Sequence, residues 1–168
     1  MLEPLIVLNN LEATRAQTLR RFSSLSQEQL DWRPPASAER EEETAWSLGE
    51  VFMHLAIDEQ YLREQIARPL LEGVKPPDGM TFLPPPPPYG MQKQVIQFWF
   101  ERARVMTCRL LEAWPADANL DLVHIGGLEA MNALEWLDGY GSHEAFHHKQ
   151  IDSLIGQFDE SRRVNHGK

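Results

Sequence analysis

Ser47-Leu-Gly-Glu50-Val-Phe-Met-His54 is the stretch on which the fold turns. A serine followed three residues later by glutamate is a capping box. The Ser47 hydroxyl accepts from the Glu50 amide while the Glu50 carboxylate accepts from the Ser47 amide, so a helix begins here. Phe52, Leu55, Leu62 and Ile66 then share one broad face. The spacing predicts a helix to about Leu71, stopped by Gly73 with Pro76-Pro77 beyond it, and Pro69 as a point of shortening or kinking.

Upstream, Leu5, Leu8, Leu11, Leu19 and Phe22 keep helical spacing and predict a first helix over about residues 3 to 23. The polar stretch from Ser26 to Ala45 reads as a connection with one helical turn at Ser26 to Trp32, and its acidic run Glu41 to Glu43 reads as a solvated loop. Downstream, residues 74–90 form a proline-rich connector ending in Pro84 to Pro88. Consecutive prolines favour polyproline II at ~3.1 Å per residue, and a helix of about 22 residues is ~33 Å long. Such a spacer can carry the chain back to the start of the second helix, so helices two and three are expected to run parallel.

The third helix is predicted over Met91 to Trp114, with Val95, Phe98, Trp99, Met106, Leu110 and Leu111 assigned to the core and Pro115 closing it. After a loop at Gly126-Gly127, Asn132 with Glu135 makes an N-cap, and a fourth helix runs to about Gln157. Gly139 and Gly141 weaken its first half, so its firm part is expected from Ser142. With no alternating strand segments and no internal repeat, the pattern is that of an all-α, four-helix bundle forming one domain over residues 1–168.

Composition narrows the function. A net charge of −9 repels phosphate backbones, and the basic pairs Arg102/Arg104 and Arg162/Arg163 are too small for a nucleic-acid footprint. The apolar run Pro4-Leu-Ile-Val-Leu has neither a basic flank nor a cleavage site, and no stretch approaches the ~18 apolar residues of a membrane span. A single cysteine, Cys108, rules out an intrachain disulfide framework and a Cys-based zinc site, and fits a reducing, cytoplasmic setting.

The chemistry lies in histidine. His143 and His147 are four apart, so their rings stand one turn apart on one helical face at a spacing that clamps a metal. A pair is not a site, and the third candidate is His54, inside a helix between Met53 and Leu55. His148 points about 100° away from His147 and reads as a surface or supporting residue, while His124 and His166 fall in loop and tail. His143-Glu144-Ala-Phe-His147 also matches the H-E-x-x-H signature of zinc metalloproteases, with Glu as general base. The extension needed for a metzincin is missing, since Gln150 and Ser153 stand where Gly and His belong. No strand precedes the motif to hold a peptide, so Glu144 is expected to face solvent or to support the site.

Trp46-Ser-Leu-Gly-Glu-Val-Phe-Met-His54-Leu-Ala and His143-Glu-Ala-Phe-His147-His-Lys-Gln-Ile151 resemble the two signature segments of the DinB/YfiT family, and Leu30-Asp-Trp32-Arg-Pro34 is similar to its short element before the second helix. The resemblance implies an up-down-down-up bundle, a homodimer, and one divalent metal, zinc or nickel, on His54, His143 and His147. Three protein ligands leave a coordination position open, as in catalytic sites. It further implies activation of a low-molecular-weight thiol, or of water, toward a small-molecule substrate, by a thiol-dependent S-transferase or a hydrolase. Glu50, Asp58 and Glu144 are then candidates for orienting a ligand or relaying a proton, with Glu50 also claimed by the helix cap. The alternative is a non-catalytic, stress-related or regulatory dimer that only binds the metal. His148, where relatives carry Arg, and the long proline run depart from the family pattern.

Overall fold

The computed structural model describes residues 2–35, 45–77, 85–126 and 129–166. Helices dominate: α1 (Pro4–Ser23), α2 (Gln27–Asp31), α3 (Leu48–Leu62), α4 (Arg68–Leu71), α5 (Lys93–Glu112) and α6 (Ala133–His166). None is long and apolar enough to cross a membrane. The acidic run Glu41 to Glu43 and connector residues 78–84, Pro84 included, lie outside the described residues, and Pro85 to Pro88 adopt neither helix nor strand.

Local chemistry fixes the helix starts. Ser47 and Glu50 bond each other's amides at 3.2 and 2.8 Å. Ser26 and Gln29 repeat the device at α2. At α6, Asn132 Oδ1 accepts from the amides of Leu134 and Glu135, while Glu135 returns a carboxylate to the Asn132 amide. Gly73, at φ +77°, closes the second helical segment. Pro69 has no N–H to return to Gln65, and the chain accommodates this with a π-helical turn, Arg63–Ala67, that joins α3 to α4 without a break.

Three expectations are corrected. α6 is continuous through Gly139 and Gly141 and extends to His166, because buried Leu134, Leu137 and Tyr140 anchor its first half against a glycine penalty of only about 1 kcal/mol each. A two-residue antiparallel ladder pairs His124–Ile125 (β1) with Ala130–Met131 (β2), too short to leave an alternating pattern in sequence. On α5 the core is made by Ile96, Phe100, Ala103 and Leu111, while Phe98 and Trp99 are 55% and 40% exposed. Apolar residues occupy both faces of that helix, so periodicity alone could not set its phase.

Contacts between helices climb in matched order. Asn10, Arg15 and Arg21 of α1 meet Asp138, Glu144 and Asp152 of α6, so these two helices run side by side in the same direction. Phe52, Glu59 and Arg63 of α3 and its π turn meet Phe100, Arg104 and Thr107 of α5, again in parallel. α1 and α5 run oppositely: Arg15 donates to the Phe100 carbonyl and Arg104 to that of Leu11.

The interior has two apolar clusters. One gathers Phe22, Leu30, Phe52, Phe100 and Ile151; the other gathers Leu11, Ile66, Leu134, Leu137 and Tyr140. Between them lies a layer of buried charge. Arg15 pairs with Glu59 and Glu144 at 2.6 and 2.8 Å, and Arg104 pairs with the same two carboxylates at 2.7 Å each. α2 sits on α3 so closely that a Cβ on Gly49 would lie 3.0 Å from the Leu30 carbonyl oxygen.

Arg104→Met is expected to lower stability by about 3–5 kcal/mol in urea unfolding, because it strips two buried carboxylates of a partner. A loss under about 1 kcal/mol would mean that the charged layer is dispensable.

Candidate metal centre

His54 comes from α3, and His143 and His147 from successive turns of α6. Their ring centroids lie 5.4, 4.9 and 4.7 Å apart, and one donor atom from each falls within 4.8 Å of the others. This is a three-histidine group that could hold a metal ion. His54 and His147 are buried, whereas the His143 side chain is 39% exposed. Trp46, just before the cap of α3, packs its ring 4.9 Å from that of His54.

The protonation states suit ligation. Burial, with the neighbouring imidazoles His147 and His143, pushes the His54 pKa down to about 3. Burial also pushes His147 down to about 4, against the opposing hydrogen bond to Gln150. Both rings are therefore neutral at neutral pH. Gln150 Oε1 sits 2.6 Å from His147 Nδ1 and can only accept, so Nδ1 carries the proton and Nε2 keeps its lone pair. His54 Nε2 and His143 Nε2 are buried and make no hydrogen bond. They lie 3.1 and 3.0 Å from Asp58 Oδ2, one turn beyond His54. Three converging imidazole nitrogens could hold a divalent metal ion, with Asp58 Oδ2 beside two of them.

A family model described as the DinB superfamily matches residues 10–151, which include α1 from Asn10 onward, His54, His143, His147 and Gln150. The chain belongs to the DinB superfamily. No curated protein and no solved structure matches it significantly. The matched span thus contains α3 and the part of α6 that carries His143 and His147 of this DinB-superfamily chain.

Of the remaining candidates, Asp58 joins the histidines, whereas Glu50 and Glu144 are engaged elsewhere. Glu50 is held by the Ser47 amide and by Arg33. Of the two expectations for Glu144, facing solvent or supporting the site, the first is corrected. The residue is fully buried, and accepts from Arg15, Arg104 and Thr18. Burial raises its pKa, but the two guanidiniums and the Thr18 hydroxyl outweigh this and hold it below the usual range. His148 is also buried, not at the surface. Thr18 gives its proton to Glu144 at 2.6 Å and so accepts from His148 Nε2 at 2.8 Å. His124, read as a loop residue, is fully buried against Trp136. Gln150, quoted in the second signature segment without a role, is the neighbour whose contact with His147 only the structure shows; its signal was its place three residues after His147, on the same helix face.

Two outcomes follow from the electrostatics. Below pH ~6.5 an unfolded chain binds protons that folded His54 and His147 refuse, so the metal-free protein loses stability as pH falls through that range. Its Tm is expected to drop steadily between pH 7 and pH 5, before carboxylates titrate, and a flat Tm there would contradict the depressed values. Gln150→Ala is expected to weaken metal binding by about 10–100-fold in chelator competition, through loss of the fixed tautomer.

Proposed function

We propose that this chain is a metal-dependent enzyme that activates a thiol or a water molecule toward a small-molecule substrate, with His54, His143 and His147 holding one divalent ion. The observation that carries this reading is the meeting of three imidazole donors with Asp58, while one of them, His143, stays 39% exposed. Closed structural sites use four protein ligands; catalytic ones keep a position for substrate. Zinc is the first choice of ion and nickel the second, since imidazole suits both. When bound, the ion supplies Lewis acidity that lowers the pKa of a thiol or water beside it.

The chain's own residues divide the remaining work. Gln150 holds the His147 tautomer. Asp58 Oδ2, facing both His54 and His143, is placed to accept the proton that the nucleophile gives up. Trp46 shields the His54 ring from water. Glu144 is tied to Arg15, Arg104 and Thr18, which argues against the general-base role a metalloprotease would require of it. Among the described residues, strands of two residues offer no edge to hold a peptide.

The same reading takes the chain as one cytoplasmic domain over residues 1–168, an up-down-down-up four-helix bundle. The parallel registers of α1 with α6 and of α3 with α5 support that topology. It also takes the working form as a homodimer, for which Val95, Phe98, Trp99 and Val105 offer an exposed apolar face on α5.

Purified protein is expected to carry about one zinc or nickel per chain by elemental analysis. His54→Ala loses the ion but keeps its helical circular dichroism; full metal content in that variant would sink the ligand assignment. Asp58→Asn keeps the ion and loses about 10²-fold or more in thiol-dependent or hydrolytic turnover.

A further inference from the structure

Immediately beside His143 lies a cavity of about 230 Å³. Leu62, Met131, Trp136 and Tyr140 form its apolar walls, and Asp58 with His143 forms its polar end. The cavity therefore meets the three-histidine group at His143 and Asp58, while its other walls are apolar.

Gly139 explains why the space exists. Trp136, Gly139, Tyr140 and His143 recur at three- and four-residue spacing, so they share one face of α6. A Cβ built on Gly139 meets nothing within 4 Å, and its backbone is not in the left-handed region. Neither crowding nor conformation requires glycine there, although glycine is the weakest helix former after proline. Gly139 lines the cavity, so a side chain there would extend from its wall into open space. Gly126 is the opposite case: its Cβ would lie 2.7 Å from the Trp136 ring, so glycine is needed there to seat that wall.

The wall also holds polar atoms that nothing in the described residues satisfies. Trp136 Nε1 is buried without an acceptor. Behind it His124 is fully buried, its ring centroid 5.8 Å from that of Trp136, and neither of its nitrogens has a hydrogen-bond partner.

We propose that this cavity holds the ring-sized apolar body of the substrate, aromatic or branched aliphatic, with an anionic, metal-seeking head at the Asp58 and His143 end. The assignment rests on the metal reading of the histidines above. Size sets the class: a cavity of roughly 150 Å³ accommodates benzene, so this one takes a ring with a short head. Trp136 and Gly139 are specificity-determining residues of the site.

Benzohydroxamate and acetohydroxamate test this, because they share one metal-binding head and differ only in phenyl against methyl. In calorimetric titration of the zinc-loaded protein, benzohydroxamate is expected to bind at least about tenfold more tightly, the least that burying a ring is worth. Gly139→Leu removes that preference while zinc content stays at the wild-type level. Gly139→Ala places a single methyl in open space, removes the preference in part, and guards against a Leu variant that fails to fold. Both variants are better helix formers and raise Tm. Equal affinity for the two hydroxamates, or a preference undiminished in Gly139→Leu, overturns the cavity assignment and leaves the metal site standing. A protein that keeps no zinc and binds neither hydroxamate overturns the reading of the histidines, and the cavity assignment falls with it.

Discussion

Arg15 of α1, Glu59 of α3, Arg104 of α5 and Glu144 of α6 close a ring of four ion pairs in the middle of the protein, each residue at most 6% exposed. Buried pairs of this kind add little net stability, because desolvation offsets the Coulomb attraction. Their force lies in the alternative. Slipping any one helix by a turn, ~5.4 Å, would leave a guanidinium or carboxylate buried and alone, at about 3–5 kcal/mol. The apolar clusters on either side of the ring are less demanding, since leucine and phenylalanine tolerate small shifts. The charged layer thus sets the relative height of the four long helices.

That height is what assembles the histidines. Glu144 stands between His143 and His147 on α6, and Glu59 follows Asp58 and lies five residues after His54 on α3. Once Glu59 and Glu144 share the same two arginines, the faces carrying His54, Asp58, His143 and His147 must meet. Burial then keeps the His54 and His147 imidazoles neutral, and Gln150 fixes which nitrogen of His147 points inward. Deprotonation and orientation are settled by the fold before any ion arrives, which is the meaning of preorganisation here.

Much of this was legible in the chain itself. Reciprocal caps at Ser47/Glu50 and Asn132/Glu135 announce helix starts through short-range hydrogen bonds, which sequence spacing reports directly. The His143/His147 pair stands out for the same reason, since a helix places residues four apart on one face, and His54 stands out as a helical histidine among apolar neighbours. The arginine–glutamate ring did not stand out. Single charges in amphipathic helices look solvated, and only the three-dimensional meeting of four helices neutralises them; the exposed alternatives for Glu144 and His148 therefore fail. The phase of α5 was hidden by apolar residues on both faces. The cavity at Gly139 was masked as a helix weakness, because an absent side chain has no signature until its neighbours are in place.

The central claim is that three imidazoles, one from α3 and two from α6, hold one divalent ion. X-ray absorption at the zinc edge of the zinc-loaded protein tests it most directly. The account predicts a first shell of nitrogen or oxygen atoms at about 2.0–2.2 Å with the outer-shell scattering of three imidazole rings and no sulfur. A sulfur scatterer at about 2.3 Å, or fewer than two imidazoles, would contradict it.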